Sequence, residues 1–98
     1  MLKKVTWSAK AVRQFNEAIG YIRQNSLQNA DKVKKDILAR VERLSKGNII
    51  HRKDPYKKGN DGTFHYFIAM NYRISYCETD AEIIIIRVRH ESMEPKIY

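Results

Sequence analysis

The stretch Glu82-Ile83-Ile84-Ile85-Ile86-Arg87-Val88-Arg89-His90 is largely β-branched and holds no glycine or proline, the composition of a strand. Four consecutive isoleucines predict cover on both faces, and hence a central strand. Alternation sends Ile84, Ile86 and Val88 one way and Ile83, Ile85, Arg87 and Arg89 the other. One face is wholly apolar. The other starts apolar and becomes basic beside His90, and that cationic end is the candidate functional region.

Upstream of it the period is also two. Thr63–Ile68 and Tyr72–Glu78 read as strands, with turns at Ala69-Met70-Asn71 and Thr79-Asp80, so residues 63–90 should close as an antiparallel meander. Alternation gives Phe64, Tyr66, Ile68, Tyr72, Ile74, Tyr76, Ile84, Ile86 and Val88 to a covered face. The opposite set is His65, Phe67, Arg73, Ser75, Cys77, Arg87 and Arg89. Asn48–Gly62 before the meander is a long, basic, turn-rich connection containing Asp54-Pro55 and Gly59-Asn60-Asp61-Gly62. Connections of this length are usually functional or disordered.

The first half of the chain has helical periodicity. Leu2–Thr6 reads as a short strand, followed by Ser8 as an N-cap and a Trp7–Val12 pair at the spacing of a hydrophobic staple. Val12, Phe15, Ile19 and Ile22 form the stripe of a first helix. Gly20 costs it about 1 kcal/mol of propensity, for which a close helix–helix approach is the expected reason. After a break at Asn25–Asn29, where Ser26 or Asn29 can cap, Ala30, Val33, Ile37, Val41 and Leu44 form a second stripe. Asp31–Lys35, Asp36–Arg40 and Glu42–Lys46 are acid-before-base pairs four apart, and Gly47 suits a C-terminal cap. The layout is β-α-α-β-β-β. This is an α+β fold, with a helical hairpin packed on one face of a small antiparallel sheet and residues 1–98 forming one domain.

Composition narrows the function. The net charge of +8 predicts a polyanionic partner, either nucleic acid or an acidic protein segment. Residues 8–46 hold nine of the basic and four of the acidic side chains, so the helical half dominates that charge. No apolar run approaches the roughly 20 residues of a membrane span, and no signal peptide is evident at Met1-Leu-Lys-Lys-Val5. The lone Cys77 cannot form an internal disulfide and suits a reducing cytoplasm, with the thiol expected to be a small buried side chain. One cysteine and three scattered histidines supply no zinc-type spacing, so neither a metal nor another cofactor is expected.

The order of these motifs resembles the RelE/ParE superfamily of toxins from type II toxin–antitoxin systems, the plasmid-stabilisation type. The matching stretches are Trp7-Ser8-x-x-Ala11, Tyr21-Ile22, Leu44, Tyr72-Arg73-Ile74-Ser75-Tyr76 and Ile85-Ile86-Arg87-Val88-Arg89-His90. The resemblance implies a growth-inhibiting toxin neutralised by a cognate antitoxin that wraps it. One branch, ParE-like, poisons DNA gyrase; another, RelE-like, cuts mRNA on the ribosome. RelE-like nucleases carry an arginine near the end of the first meander strand and another just past the last, where this chain has Ile68 and Ser92. Arg73 and the tail Tyr98 do line up, and His90 matches a histidine of some other family nucleases. The balance favours the gyrase branch, with a ribosome-dependent endonuclease as the alternative.

RNA cleavage through its own 2′-hydroxyl needs a base, an acid and cations for the phosphorane. His90 or His65 can supply the proton transfers, since imidazole titrates near neutrality. Arg73, Arg89 and Arg87 can hold a phosphate without a metal. Arg52, Lys53, Lys57 and Lys58, with Tyr98, can steer or stack on a nucleic acid. The plainer reading also stands: the arginines pair with Glu78, Glu82, Glu91 or antitoxin carboxylates, and His90 simply hydrogen-bonds at a strand end.

Overall fold

Ser8 ends a strand and starts a helix with one side chain. Its hydroxyl accepts from the Ala11 amide at 3.1 Å, fixing the N-terminus of α1 (Ala9–Asn25), which follows β1 (Lys4–Trp7). The computed structural model describes residues 3–47, 51–93 and 96–98; Leu2, Asn48 and Pro95, which the sequence reading also used, lie outside them. Trp7 packs on Phe15, ring centroids 5.3 Å apart, while Val12 is 43% exposed, so the staple closes one turn later than its spacing predicts.

Ser26 alone joins α1 to α2 (Leu27–Leu44). Its amide donates to Ile22 O at 2.9 Å and its hydroxyl accepts from the Asn29 amide at 3.1 Å. Ala11, Phe15 and Ile19 of α1 and Ala30, Val33, Ile37, Val41 and Leu44 of α2 are buried against the sheet. Burial of an Ile, Leu or Phe side chain contributes roughly 1.5–3 kcal/mol, so this stripe anchors the hairpin. Two of the three expected helix-surface pairs form, Lys35–Asp31 at 2.9 Å and Arg40–Asp36 at 3.3 Å. Gly47 adopts φ +67°, as an αL cap requires. The expected reason for Gly20 is not present: a Cβ there would meet nothing within 4 Å.

The sheet has five strands in the order β1-β5-β4-β3-β2, with β2 at Arg52–Lys53, β3 at Phe64–Ala69, β4 at Tyr72–Glu78 and β5 at Glu82–His90. The meander is antiparallel as expected and β5 is central, but β1 runs parallel to β5, so the sheet is mixed. β2 lies within the segment expected to be only a connection. Tight Asx-type bonds order the rest of that segment, including Tyr56 N–H to Asp54 Oδ1 at 3.0 Å and Gly62 N–H to Asn60 Oδ1 at 2.8 Å.

Two parity assignments are corrected. The β3–β4 turn contains only Met70 and Asn71, with φ 53° and 70°, and so Ala69 pairs with Tyr72 inside the ladder. That puts His65, Phe67 and Ala69 on the helix-covered face and Phe64, Tyr66 and Ile68 on the open one. In β5, Ser75 faces Arg87 and Tyr76 faces Ile85, which leaves Ile86 as the extra residue of a β-bulge. Ile83 and Ile85 therefore join Val88 in the core, where Ile84 and Ile86 were expected. Arg73, Ser75, Arg87 and Arg89 share the open face, as predicted.

Candidate functional site

The open face is organised by a carboxylate. Asp54 leaves β2 directly, its amide tied to Phe64 O at 2.9 Å, and its side chain turns under the Asp54-Pro55-Tyr56 corner onto the strands. It is 1% exposed. Four groups donate to it: Arg73 Nη2 at 3.0 Å, Ser75 Oγ at 2.8 Å, the Tyr56 amide at 3.0 Å and the Tyr98 hydroxyl at 2.5 Å. Burial pushes the Asp54 carboxyl up, but the bonds from Tyr98, Ser75, Tyr56 and Arg73 outweigh it and hold the group below the usual carboxylate range. Burial first, and the bond to Asp54 second, push the Tyr98 phenol well above its ordinary value.

The arginines are held by their surroundings. Arg73 is 7% exposed, and its guanidinium lies 3.5 Å from the Tyr66 ring centroid and 4.4 Å from that of Tyr56. Arg87 is 3% exposed, donates to Lys96 O at 2.8 Å and sits 4.2 Å from the Tyr98 ring centroid. Arg89, opposite Arg73, donates to Met93 O at 3.0 Å. The main chain completes the closure: Tyr98 N–H donates to Tyr56 O at 2.8 Å and Lys58 N–H to Tyr98 O at 2.7 Å. Lys57 Nζ lies over Phe64 and Tyr98 at 4.8 and 5.5 Å. The loop after β2 and the tail are thus fastened to each other and to the sheet through Asp54.

The residues singled out from sequence divide into two groups. Arg73, Arg87, Arg89, Lys57, Lys58 and Tyr98 come together on or beside the open face, with the exposed Arg52 paired to Tyr66 at its rim. Lys53, exposed, pairs with His65, which lies on the other face, stacked on Tyr76 at 5.6 Å with Nδ1 3.3 Å from His51 O. His90 also lies on the helix side, edge-on to Tyr72 at 5.1 Å. Its Nδ1 accepts from the Ser92 amide at 3.1 Å, so the neutral ring carries its proton on Nε2. Neither histidine shares a face with Arg73. Cys77 is half-buried with Sγ 3.7 Å from Thr63 Oγ1, less enclosed than expected. Sequence reasoning took Asp54 only as a turn residue; a single acid in a stretch of four cations, residues 52–58, was the available signal. Among the described residues no His, Cys, Asp and Glu group could hold a metal ion, and no helix is long and apolar enough to cross a membrane.

A sequence profile described as ParE toxin of type II toxin-antitoxin system, parDE, matches residues 5–95. The chain belongs to the ParE toxin family. No curated protein sequence matches significantly. Among solved structures, a chain of the chromosomal ParDE TA system from P. aeruginosa aligns at TM-score 0.71 and 16% identity, covering 91% of this chain and 96% of that one. At that identity the likeness speaks to the fold, and it agrees with two helices on one face of the ParE-like sheet.

Proposed function

We propose that this ParE-family chain arrests growth by binding DNA gyrase until a cognate antitoxin neutralises it. One observation carries the preference for binding over RNA cleavage. Arg73 and Arg87, two of the three strand arginines that could hold a phosphate, are buried and engaged, Arg73 by Asp54 and Arg87 by Lys96 O and the Tyr98 ring. Moving Arg73 to a substrate would leave the Asp54 carboxylate buried beside a lost partner, which costs several kcal/mol. His65 and His90 lie on the face of the sheet opposite Arg73. A basic protein of net charge +8 also suits a partner bearing DNA or acidic segments.

The test is a supercoiling assay with purified gyrase. The expected result is loss of supercoiling with accumulation of cleaved DNA as the protein is added. Unaffected gyrase, together with new mRNA ends when the same preparation is added to translating ribosomes, would overturn the proposal in favour of the endonuclease alternative.

A further inference from the structure

Each oxygen of Asp54 joins β4 to a piece of chain outside the strands. Oδ1 accepts from Arg73 Nη2 at 3.0 Å and from the Tyr56 amide of the loop at 3.0 Å. Oδ2 accepts from Ser75 Oγ at 2.8 Å and from the Tyr98 hydroxyl of the tail at 2.5 Å. Loop and tail are also joined directly. Tyr98 N–H donates to Tyr56 O and Lys58 N–H to Tyr98 O, the pattern of a parallel β-bridge between Lys57 and Tyr98. From the far side of the loop, Asn60 Nδ2 donates to Asp54 O at 3.2 Å, while its Oδ1 accepts from the Gly62 amide at 2.8 Å.

The hydrophobic core has no part in this fastening. Its cluster contains no side chain from 54–62 or 96–98, and the contacts that hold both pieces are hydrogen bonds and cation–ring stacks. Segments with few buried apolar contacts open at lower free energy than the core beneath them. Because loop and tail share one carboxylate and one bridge, opening either takes hydrogen-bond partners from the other. Beneath them lie Arg73 and Arg87, with the Tyr56 ring over the first and the Tyr98 ring and Lys96 O against the second.

We infer that residues 54–62 and 96–98 form one strap that opens and closes as a unit over the folded sheet, gating access to Arg73 and Arg87. Whatever lifts the tail therefore also frees the loop, and two guanidinium groups are uncovered in a single step. The device is independent of the target the toxin takes. Native-state hydrogen exchange on the full chain tests it, with a lesion placed at each end: Tyr98→Phe in the tail and Asn60→Ala in the loop. In the wild type, the Asp54, Tyr56, Lys58, Gly62 and Tyr98 amides should share one protection factor, tenfold or more below that of the buried Ile74 and Tyr76 amides. Tyr98→Phe should speed exchange at Gly62, and Asn60→Ala exchange at Tyr98, fivefold or more, although neither side chain touches the amide being read. Phenylglyoxal labelling mapped by mass spectrometry should accelerate at Arg73 and Arg87 by the same factor in both variants, with the exposed Arg52 as the unchanged reference. Strap amides as well protected as those of Ile74 and Tyr76 would overturn the strap, since it would then open only with the whole fold. So would lesions whose effects stay on their own side, or arginine labelling within twofold of wild type in both variants.

Discussion

Replacing Asp54 with alanine removes the acceptor for four donors at once, and the consequence can be worked from the geometry. The carboxylate side chain is 0% and the Arg73 side chain 8% exposed, at 3.0 Å, so neither can recover its hydration when the other is lost. Breaking a buried pair by removing one member costs about 3–5 kcal/mol, against a whole-domain stability of about 5–15 kcal/mol. Tyr98→Phe is the milder perturbation, losing one hydrogen bond to a charged group, about 1.5–3 kcal/mol. Urea unfolding of Asp54→Ala, Arg73→Met and the double variant forms a cycle. The expected coupling is about 1–3 kcal/mol, with the double variant less damaged than the summed singles. Asp54→Ala within about 0.5 kcal/mol of wild type, or additive singles, would refute the claim that this carboxylate fastens loop, tail and sheet.

Gly20→Ala should raise unfolding stability by about 1 kcal/mol, because helix propensity improves and no neighbour is displaced; urea midpoints decide it, and a destabilised variant would show a hidden clash. Met70 holds φ 53° in a two-residue turn, a region costing non-glycine residues roughly 1–2 kcal/mol but tolerated by Asn. Met70→Asn should therefore melt higher, and an unchanged or lower melting temperature would contradict that. Burial, followed by His65 and Arg40, lowers the His51 imidazole below its ordinary value. The unfolded chain then binds the proton first, so stability is full above about pH 6.5 and falls as pH drops below it. His51→Gln should flatten that limb of the stability–pH curve, and a profile identical to wild type would refute the assignment. Tyr98, shifted the other way, should make stability decline as pH rises past about 10, with Tyr98→Phe weakening the decline.

The helices were legible because their signals are local. Ser8 and Ser26 cap as read, and every residue of the Ala30–Leu44 stripe is buried. The β4 faces were legible for the same reason: Tyr72, Ile74 and Tyr76 alternate with Arg73, Ser75 and Cys77. β3 misled because both of its parities are apolar or aromatic, so its face is set by turn length. Counting Ala69 into the turn shifts the strand by one residue and turns it over. The parallel β1–β5 contact depends on how the helical hairpin returns the chain, which no local signal records. At the candidate site, the outward direction of the arginines followed from alternation. Their burial did not, because the cover comes from Tyr98 and the Asp54 turn, groups 44 residues apart.

The bulge in β5 gives its isoleucine run a property a mixed sequence would lack. Ile86 is surplus to the ladder and follows three identical residues, so the strand hardly distinguishes which of the four is the odd one out. Loss of a single isoleucine codon would straighten the ribbon while leaving Ile85 opposite Tyr76 and Arg87 opposite Ser75. A frame-preserving deletion in the middle of a central strand, ordinarily ruinous, should here be nearly silent.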